Sequence, residues 1–360
     1  MEQKRRHSAK EVQKRRKRIR ILLILAAVLL LLLGAVYAVF RHYYGKSNYI
    51  KDADVTRFDE EDLKDVDVDD EIGDLSDDEV NALQSEAAEI VGEIDHVEGN
   101  VYNLLLIGVD RRDRSWYGNS DSMILISVNR DTKTIHMTSF MRDLYADIPG
   151  IGVKKLNAAC AYGGGPLLVQ TIEENYRISI DNYASVDFSS MIDIIDRIGG
   201  VELSITDAEA ESANGSIQEM CGLRGENPES HYFHGGGTYL MDGCQAVAYA
   251  RIRHVGNADY QRTERQRIVL GKIMEKAKTL SVSELNAVAD AVLPLVTHNL
   301  SQTDVLSLIS ELPSLLSYDR VTSRVPYDGL YGSQGTMLVP DFAATIQRLQ
   351  TEIYGTTTVE

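Results

Sequence analysis

Hydrophobic residues are spread along this 360-residue chain in three different patterns. Ile21 to Phe40 is an uninterrupted, charge-free apolar run. At a helical rise of about 1.5 Å, about 20 such residues cross the hydrocarbon core of a bilayer, so a transmembrane helix is predicted over 21–40. From Lys51 to Glu98 apolar residues stand singly among acids, and no period appears before a short helix predicted over Val80–Val91. From Val101 onward the pattern becomes that of a folded domain. Val101–Asp110 is a near-continuous apolar strand, which predicts burial on both faces. A second strand starts at Asp121 and runs through Val128, Asn129–Lys133 forms a turn, and Thr134–Phe140 returns as a hairpin partner. If the second strand is antiparallel to both neighbours, Asp110, Asp121 and Arg142 share one edge of the sheet.

Further on, Gly163-Gly164-Gly165-Pro166 reads as a turn before a helix that ends near Glu174, with Pro166 at its first position. Tyr183–Phe188 is a strand, Ser189–Ile198 a helix stopped by Gly199-Gly200, and Val201–Ile205 a strand. Asp207–Gly237 is polar and turn-rich, as in a surface excursion; His231 and His234 lie there as loop histidines without further ligands. Cys244–Ile252 alternates in the manner of a strand, and Ile268, Val269, Ile273 and Met274 recur at helical spacing. Ser281–Ser317 reads as two or three amphipathic helices, followed by short strands at Val321–Val325 and Met337–Val339 and a closing helix over Phe342–Ile353. Such alternation predicts an α/β domain with helices on the faces of a sheet.

Charge sharpens the division. Ten Lys and Arg against Glu2 and Glu11 give residues 1–20 a charge of +8, so with a net charge of −17 for the whole chain the rest carries −25. The basic flank places the N-terminus in the cytoplasm and the body outside. The apolar run is longer than a signal-peptide core, and Arg41-His42-Tyr43-Tyr44 offers no cleavage site, so the span is read as an uncleaved anchor. The acidic 41–98 segment is read as a self-repelling stalk. The acidic body excludes a nucleic-acid-binding face, and a phosphate ligand there needs a local arginine cluster or a divalent cation. The three cysteines allow one disulfide, with Cys221 and Cys244 as the pair, or three free thiols; their spacing fits no zinc site. No nucleotide-binding motif is present.

The candidate chemistry centres on Arg251, Arg253, Asp259, Arg262 and Gln266. On a strand Arg251 and Arg253 project the same way; on the helix that follows, Asp259, Arg262 and Gln266 occupy one face. Forked guanidinium donors in this density suit bidentate contacts with phosphate oxygens.

Taken together, Leu105–Asp110, Ser120–Met123, Ser139–Asp143, Lys155–Ala158, Gly163–Pro166, Ile198–Val201 and Ala250–His254 with Asp259, Arg262, Arg265 and Gln266 resemble the LytR-CpsA-Psr (LCP) family. The core motifs cover about 101–280. The resemblance implies an α/β/α sandwich with a central mixed sheet over about 99–355, preceded by the transmembrane helix and the acidic stalk, in a single-pass protein of the cell membrane. It implies transfer of a glycopolymer, a teichoic acid or capsular polysaccharide, from an undecaprenyl-pyrophosphate carrier to peptidoglycan, with a phosphodiester formed. By the family's motif Asp110 and Asp121 hold Mg²⁺ or Mn²⁺. Arg142, Arg251, Arg253, Arg262 and Gln266 hold the pyrophosphate, and Asp259 orients an arginine or acts as base. The sequence departs from the family at Cys160 and Cys244, neither in the implied site. A polyprenyl-pyrophosphate hydrolase and a non-catalytic lipid-binding or regulatory membrane protein remain as alternatives, the first separable by product analysis only.

Overall fold

The computed structural model describes residues 37–111, 115–315 and 317–355. Of the described residues, 37–47 belong to one unit, with 37–44 helical (α1), and those from Asn48 onward to the second. Most of the predicted span at 21–40 lies outside the described residues; among those described, no helix is long and apolar enough to cross a membrane.

In chain order the second unit begins with β1 (Asn48–Tyr49), α2 (Asp77–Gly92), β2 (Val101–Asp110), β3 (Asn119–Asn129) and β4 (Thr134–Phe140). Next come β5 (Tyr145–Ile148), β6 (Gly152–Lys155), α3 (Ala158–Tyr176), β7 (Asn182–Asp187), α4 (Phe188–Arg197) and β8 (Val201–Ile205). They are followed by α5 (Asp207–Arg224), β9 (Gly237–Met241), α6 (Gly243–Arg251), α7 (Ala258–Thr279), α8 (Val282–Val292) and β10 (Thr297–His298). The chain closes with α9 (Gln302–Leu315), β11 (Asp319–Val325), β12 (Tyr331–Gln334), β13 (Met337–Pro340) and α10 (Phe342–Tyr354).

A seven-stranded mixed sheet in the order β1-β10-β7-β2-β3-β4-β11 forms the centre. The hairpin strands β2, β3 and β4 are antiparallel, while β7 joins β2 and β11 joins β4 in parallel. Leu105, Ile107, Met123 and Leu125 enter a core shared with α3 and α10. On the opposite face Leu106 and Ile124 look toward α7, whose Leu270 packs there. Helices α4, α5, α6 and the β8–β9 ribbon enclose a second core with Ile195, Ile217 and Val247 at its centre. The sheet is thus covered on both faces, as an α/β/α arrangement requires.

Three sequence expectations are corrected. Cys244–Ile252 is a helix up to Arg251, because Asp242 and Gln245 form a capping box. Its Cys244, Ala246, Val247, Ala248 and Tyr249 are all buried, so no polar face disclosed the helical period. The "excursion" 207–224 is also a helix, capped by Thr206 and Glu209, with Ala210, Ala213, Ile217, Met220 and Cys221 as its buried stripe. Small residues in that stripe give little hydrophobic contrast, which hid it. The acidic segment from Asp52 onward does not stand off as a stalk. Leu63 and Ala87 are buried, and Phe58, Val66, Val68 and Ile72 pack against the main core. The Phe58 amide donates to the Tyr162 carbonyl at 2.8 Å, and Asp70 pairs with Lys154 at 3.2 Å. Basic partners on the domain relieve the repulsion on which the stalk reading rested.

The glycine run is a kink in α3, with Gly163 and Gly164 outside helical geometry and Pro166 in the turn that follows. Gly165 is required by close approach, since a Cβ there would lie 2.3 Å from the ring of buried Tyr183. Gly165→Ala is therefore expected to cost about 1–3 kcal/mol of stability through overpacking. Urea unfolding monitored by circular dichroism would show it, and an unchanged midpoint would contradict the packing described.

Candidate functional site

The hairpin delivers the convergence that the sequence predicted. Asp110 at the end of β2 pairs with Asn119 at the start of β3, and Val109 pairs with Ser120, whereas Gly108 pairs with Ser122. Asp121 is the extra residue between these pairs, so it occupies a β-bulge. A bulge twists its strand and re-aims the side chain it carries. Here it places a carboxylate among three guanidinium groups.

Arg142, just past β4, donates from Nη1 to Asp121 Oδ1 at 2.9 Å. Arg253 reaches Asp121 Oδ2 from Nη2 at 3.2 Å. Arg262 on α7 pairs through Nε with Asp259 Oδ1 at 3.2 Å, and Arg253 Nε lies 3.7 Å from the same atom. Gln266, one turn further along α7, donates to the backbone carbonyl of Asp121 at 3.3 Å. Arg251, the last residue of α6, stacks on the Phe188 ring with 4.9 Å to its centroid, 3.7 Å from Asp110 and 3.5 Å from Glu219. Thus Arg251 and Arg253 do meet the same cleft, but from a helix end and a loop rather than from one strand. That loop is fixed by Arg265, which is buried and donates to the carbonyls of Ile252 at 3.2 Å and Val255 at 3.0 Å. Arg265 therefore positions Arg253.

These residues line an open, polar cleft of about 680 Å³ that includes Asp110, Asp121, Arg142, Arg251, Arg253, Arg262 and Gln266. The Gly163–Pro166 run does not border it. A second cavity of about 230 Å³ lies between the sheet and helices α4, α6 and α7, walled almost wholly by apolar side chains such as Leu106, Ile124, Val247 and Ile273. Phe188, Arg251 and Gln266 border both cavities, so the apolar slot opens at the arginine cluster.

Electrostatics follow from this packing. Burial opposes ionisation of Asp121, but Arg262, Arg142 and Arg253 outweigh it and hold its carboxyl below the usual range. Burial lowers the Arg262 guanidinium to about 10, with Asp121 and Asp259 opposing the change. Burial likewise acts against charging Arg142, yet Asp121 and Asp143 raise it beyond its ordinary value. Asp143 and Asp259 face one another as a carboxyl pair. Burial and the hydrogen bond to Asp259 push Asp143 up to about 6, while Arg262 overcomes burial at Asp259 and keeps it low.

Sequence reasoning missed four participants, the first being the Asp143 just described. Asp69, assigned to the stalk, accepts from Arg142 Nη2 at 3.0 Å and Lys155 Nζ at 3.1 Å. Lys155 itself is buried, and Glu219 arrives on the unrecognised helix α5. A buried lysine within the Lys155–Ala158 motif was the available signal; for Asp69 and Glu219 there was none.

Residues 72–352 match the family model described as the LytR_cpsA_psr family. The chain is 34% identical over 250 residues to Biofilm regulatory protein A of Streptococcus mutans, aligning 66% of itself with 58% of that protein. It is 31% identical over 225 residues to the polyisoprenyl-teichoic acid–peptidoglycan teichoic acid transferase TagT of Bacillus subtilis, with 61% of this chain and 66% of that protein covered. The chain thus spans about three fifths of the length of these curated relatives. Among solved structures, LytR-CPS2A-psr family protein YwtF (TagT) with bound octaprenyl pyrophosphate lipid superposes with a TM-score of 0.50 at 25% identity, covering 73% of this chain and 94% of that one.

The Asp143 shift yields a test. Its ordinary value is 3.8, so the folded state retains a proton that the unfolded chain releases at lower pH. Stability from this group is complete below about pH 4 and is lost as pH rises through 6. That difference amounts to at most about 3 kcal/mol. Asp143→Asn, which mimics the protonated form, is expected to flatten this part of the stability profile between pH 4 and 7. Parallel pH profiles for the two proteins in urea unfolding would refute the assignment.

Proposed function

The chain belongs to the LytR_cpsA_psr family, and on that premise we propose that it transfers a glycopolymer from a polyprenyl-pyrophosphate carrier to peptidoglycan. The observation that carries this reading is the junction of the two cavities. An apolar slot that opens on clustered guanidinium groups suits an amphiphile with an isoprenoid tail and a phosphate-rich head. The names of the transferase relative and of the lipid-bound structural relative support the same substrate class. In our reading the carrier is undecaprenyl pyrophosphate, and the glycopolymer is a teichoic acid or capsular polysaccharide. The N-terminal apolar run anchors the chain in the cell membrane with the catalytic unit outside.

The reaction joins an acceptor sugar hydroxyl to the glycan-bearing phosphorus. The new P–O bond forms as the bond to the polyprenyl phosphate breaks, giving a phosphodiester. Such transfer depends on positioning and charge neutralisation more than on covalent help. Arg142, Arg251, Arg253 and Arg262 would bind the pyrophosphate oxygens and stabilise the leaving phosphate, with Gln266 holding the bulge that carries Asp121. Donors aimed at developing charge are worth roughly 10²–10³ in rate each. In this reading Asp259, kept ionised by Arg262, orients Arg253 or acts as the base that takes the hydroxyl proton. No nucleotide is required, since the pyrophosphate bond supplies the energy.

Charge balance argues for a divalent cation. The cations Arg142, Lys155, Arg251, Arg253 and Arg262 already face the carboxylates of Asp69, Asp110, Asp121, Asp143, Asp259 and Glu219. A pyrophosphate would add further negative charge to a site where six carboxylates already face five cations. Asp110 and Asp121 both border the cleft, and two carboxylates suffice for Mg²⁺ or Mn²⁺ when phosphate oxygens and water complete the coordination. When bound, that ion would neutralise charge developing on the phosphate oxygens.

Incubation of the chain with polyprenyl-pyrophosphate-linked glycan, Mg²⁺ and peptidoglycan fragments is expected to give a glycan–phosphate–peptidoglycan adduct by mass spectrometry. EDTA should abolish it. Arg251→Ala and Arg253→Ala should each lower its rate about 10²–10³-fold with little change in unfolding temperature. Ala250→Phe, which fills the slot, should raise the KM for long-chain carriers more than for short ones. Glycan phosphate released without adduct would indicate the hydrolase instead, and wild-type rates in both arginine variants would overturn the site.

A further inference from the structure

We propose that Cys221, Glu226, His231 and Cys244 form a second metal site, closed and structural, that takes a thiolate-binding divalent ion of the zinc class. Ligand atoms of Cys221, Glu226 and His231 all lie within 4.8 Å of one another; among the described residues it is the one such convergence of three or more His, Cys, Asp or Glu side chains. Cys244 offers a fourth donor: its Sγ stands outside that three-residue convergence but only 3.4 Å from Cys221 Sγ, and both thiols are buried and free. Donors bound at 2.0–2.3 Å to a tetrahedral ion stand roughly 3.3–3.8 Å apart, so Cys221, Glu226 and His231 need to draw together and Cys244 to swing toward them for the four to surround one ion.

The surroundings fit ligation. Nδ1 of His231 lies 2.8 Å from Asp242 Oδ2. A proton on Nδ1 donates to that carboxylate and leaves Nε2 free to ligate, the usual outer-shell arrangement of a metal-bound histidine. Glu226 Oε1 is steered by Arg224 Nε at 2.9 Å, and the partly exposed Glu226 leaves the ion a way in from solvent. Two sulfurs, an imidazole and a carboxylate select zinc-like ions over Mg²⁺. The four donors come from the last turn of α5, the loop that follows, the segment after Pro228–Ser230 and the first turn of α6. The spacing of the cysteines alone gave no hint of this, because the fold supplies Glu226 and His231 between them. A bound ion would clamp α5 to α6. Those helices carry Glu219 and Arg251, so the clamp would brace one wall of the cleft.

The test uses the full chain, reduced and freed of metal, titrated with Co²⁺ and then Zn²⁺. One Co²⁺ per chain with a thiolate-to-cobalt charge-transfer band, displaced by Zn²⁺, is expected; an ion in the carboxylate-lined cleft gives no such band. Cys221→Ser should lower the affinity at least about 100-fold, and Asp242→Asn, which retains a helix cap, about 10–100-fold. Cys160→Ser should leave the band intact. His231→Gln, in a half-exposed loop, keeps the test decisive if the cysteine variant misfolds; it should weaken binding at least about 10-fold. Absence of the band in the reduced chain would overturn the proposal. So would a Cys221–Cys244 cross-linked peptide in protein isolated without reductant whose thiols, once reduced, still bind no Co²⁺.

Discussion

The bulged carboxylate of Asp121 holds this site together. Three guanidinium groups cannot be half-buried side by side without a counter-charge, and Asp121 supplies it from the one position where β3 carries an extra residue. Remove that bulge and the side chain would turn to another face of the sheet, leaving Arg142, Arg253 and buried Arg262 to repel each other. Asp259 and Asp69 extend the same compensation toward α7 and the acidic segment. The arrangement is therefore a balanced lattice of charge rather than a purely basic patch, which is what an acidic body demands of an anion-binding site.

A balanced lattice also explains why an amphiphilic phosphate ligand and a divalent cation belong together in the proposed reaction. Each phosphate oxygen that reached an arginine would displace a carboxylate, and an ion held by Asp110 and Asp121 would offset the freed negative charge. The apolar slot adds the second recognition element. It opens where Arg251 stacks on Phe188, so one guanidinium lies at the boundary between the polar cleft and the apolar cavity. In the proposed reaction lipid binding and phosphate binding would thereby be coupled through the end of a single helix, and the α5–α6 pair that carries it has its own thiol-rich seam.

The acidic segment from Asp52 to Glu98 illustrates how composition can mislead. Taken alone its charges repel, and an extended stalk follows. In the fold, Lys154, Lys155 and Arg142 meet Asp70 and Asp69, and isolated apolar residues such as Leu63 find places in the core. The segment thus contributes to the cleft instead of merely leading to it.

The sequence by itself determined the hairpin β2–β3–β4, most of the alternation of strands and helices, and the set of arginines and carboxylates, because near-continuous apolar runs bounded by turn residues and charged strand ends are local signals. It also placed Asp259, Arg262 and Gln266 on one face of α7, since helical spacing needs no partner. What it left to the tertiary structure were α5 and α6, whose small or wholly buried residues give no hydrophobic contrast, and the bulge, which depends on how two strands register. Asp69, Glu219 and the Cys221–Glu226–His231–Cys244 seam are legible only when segments distant in the chain are brought together. A sequence states which groups exist; only packing decides which charges and thiols must share a space.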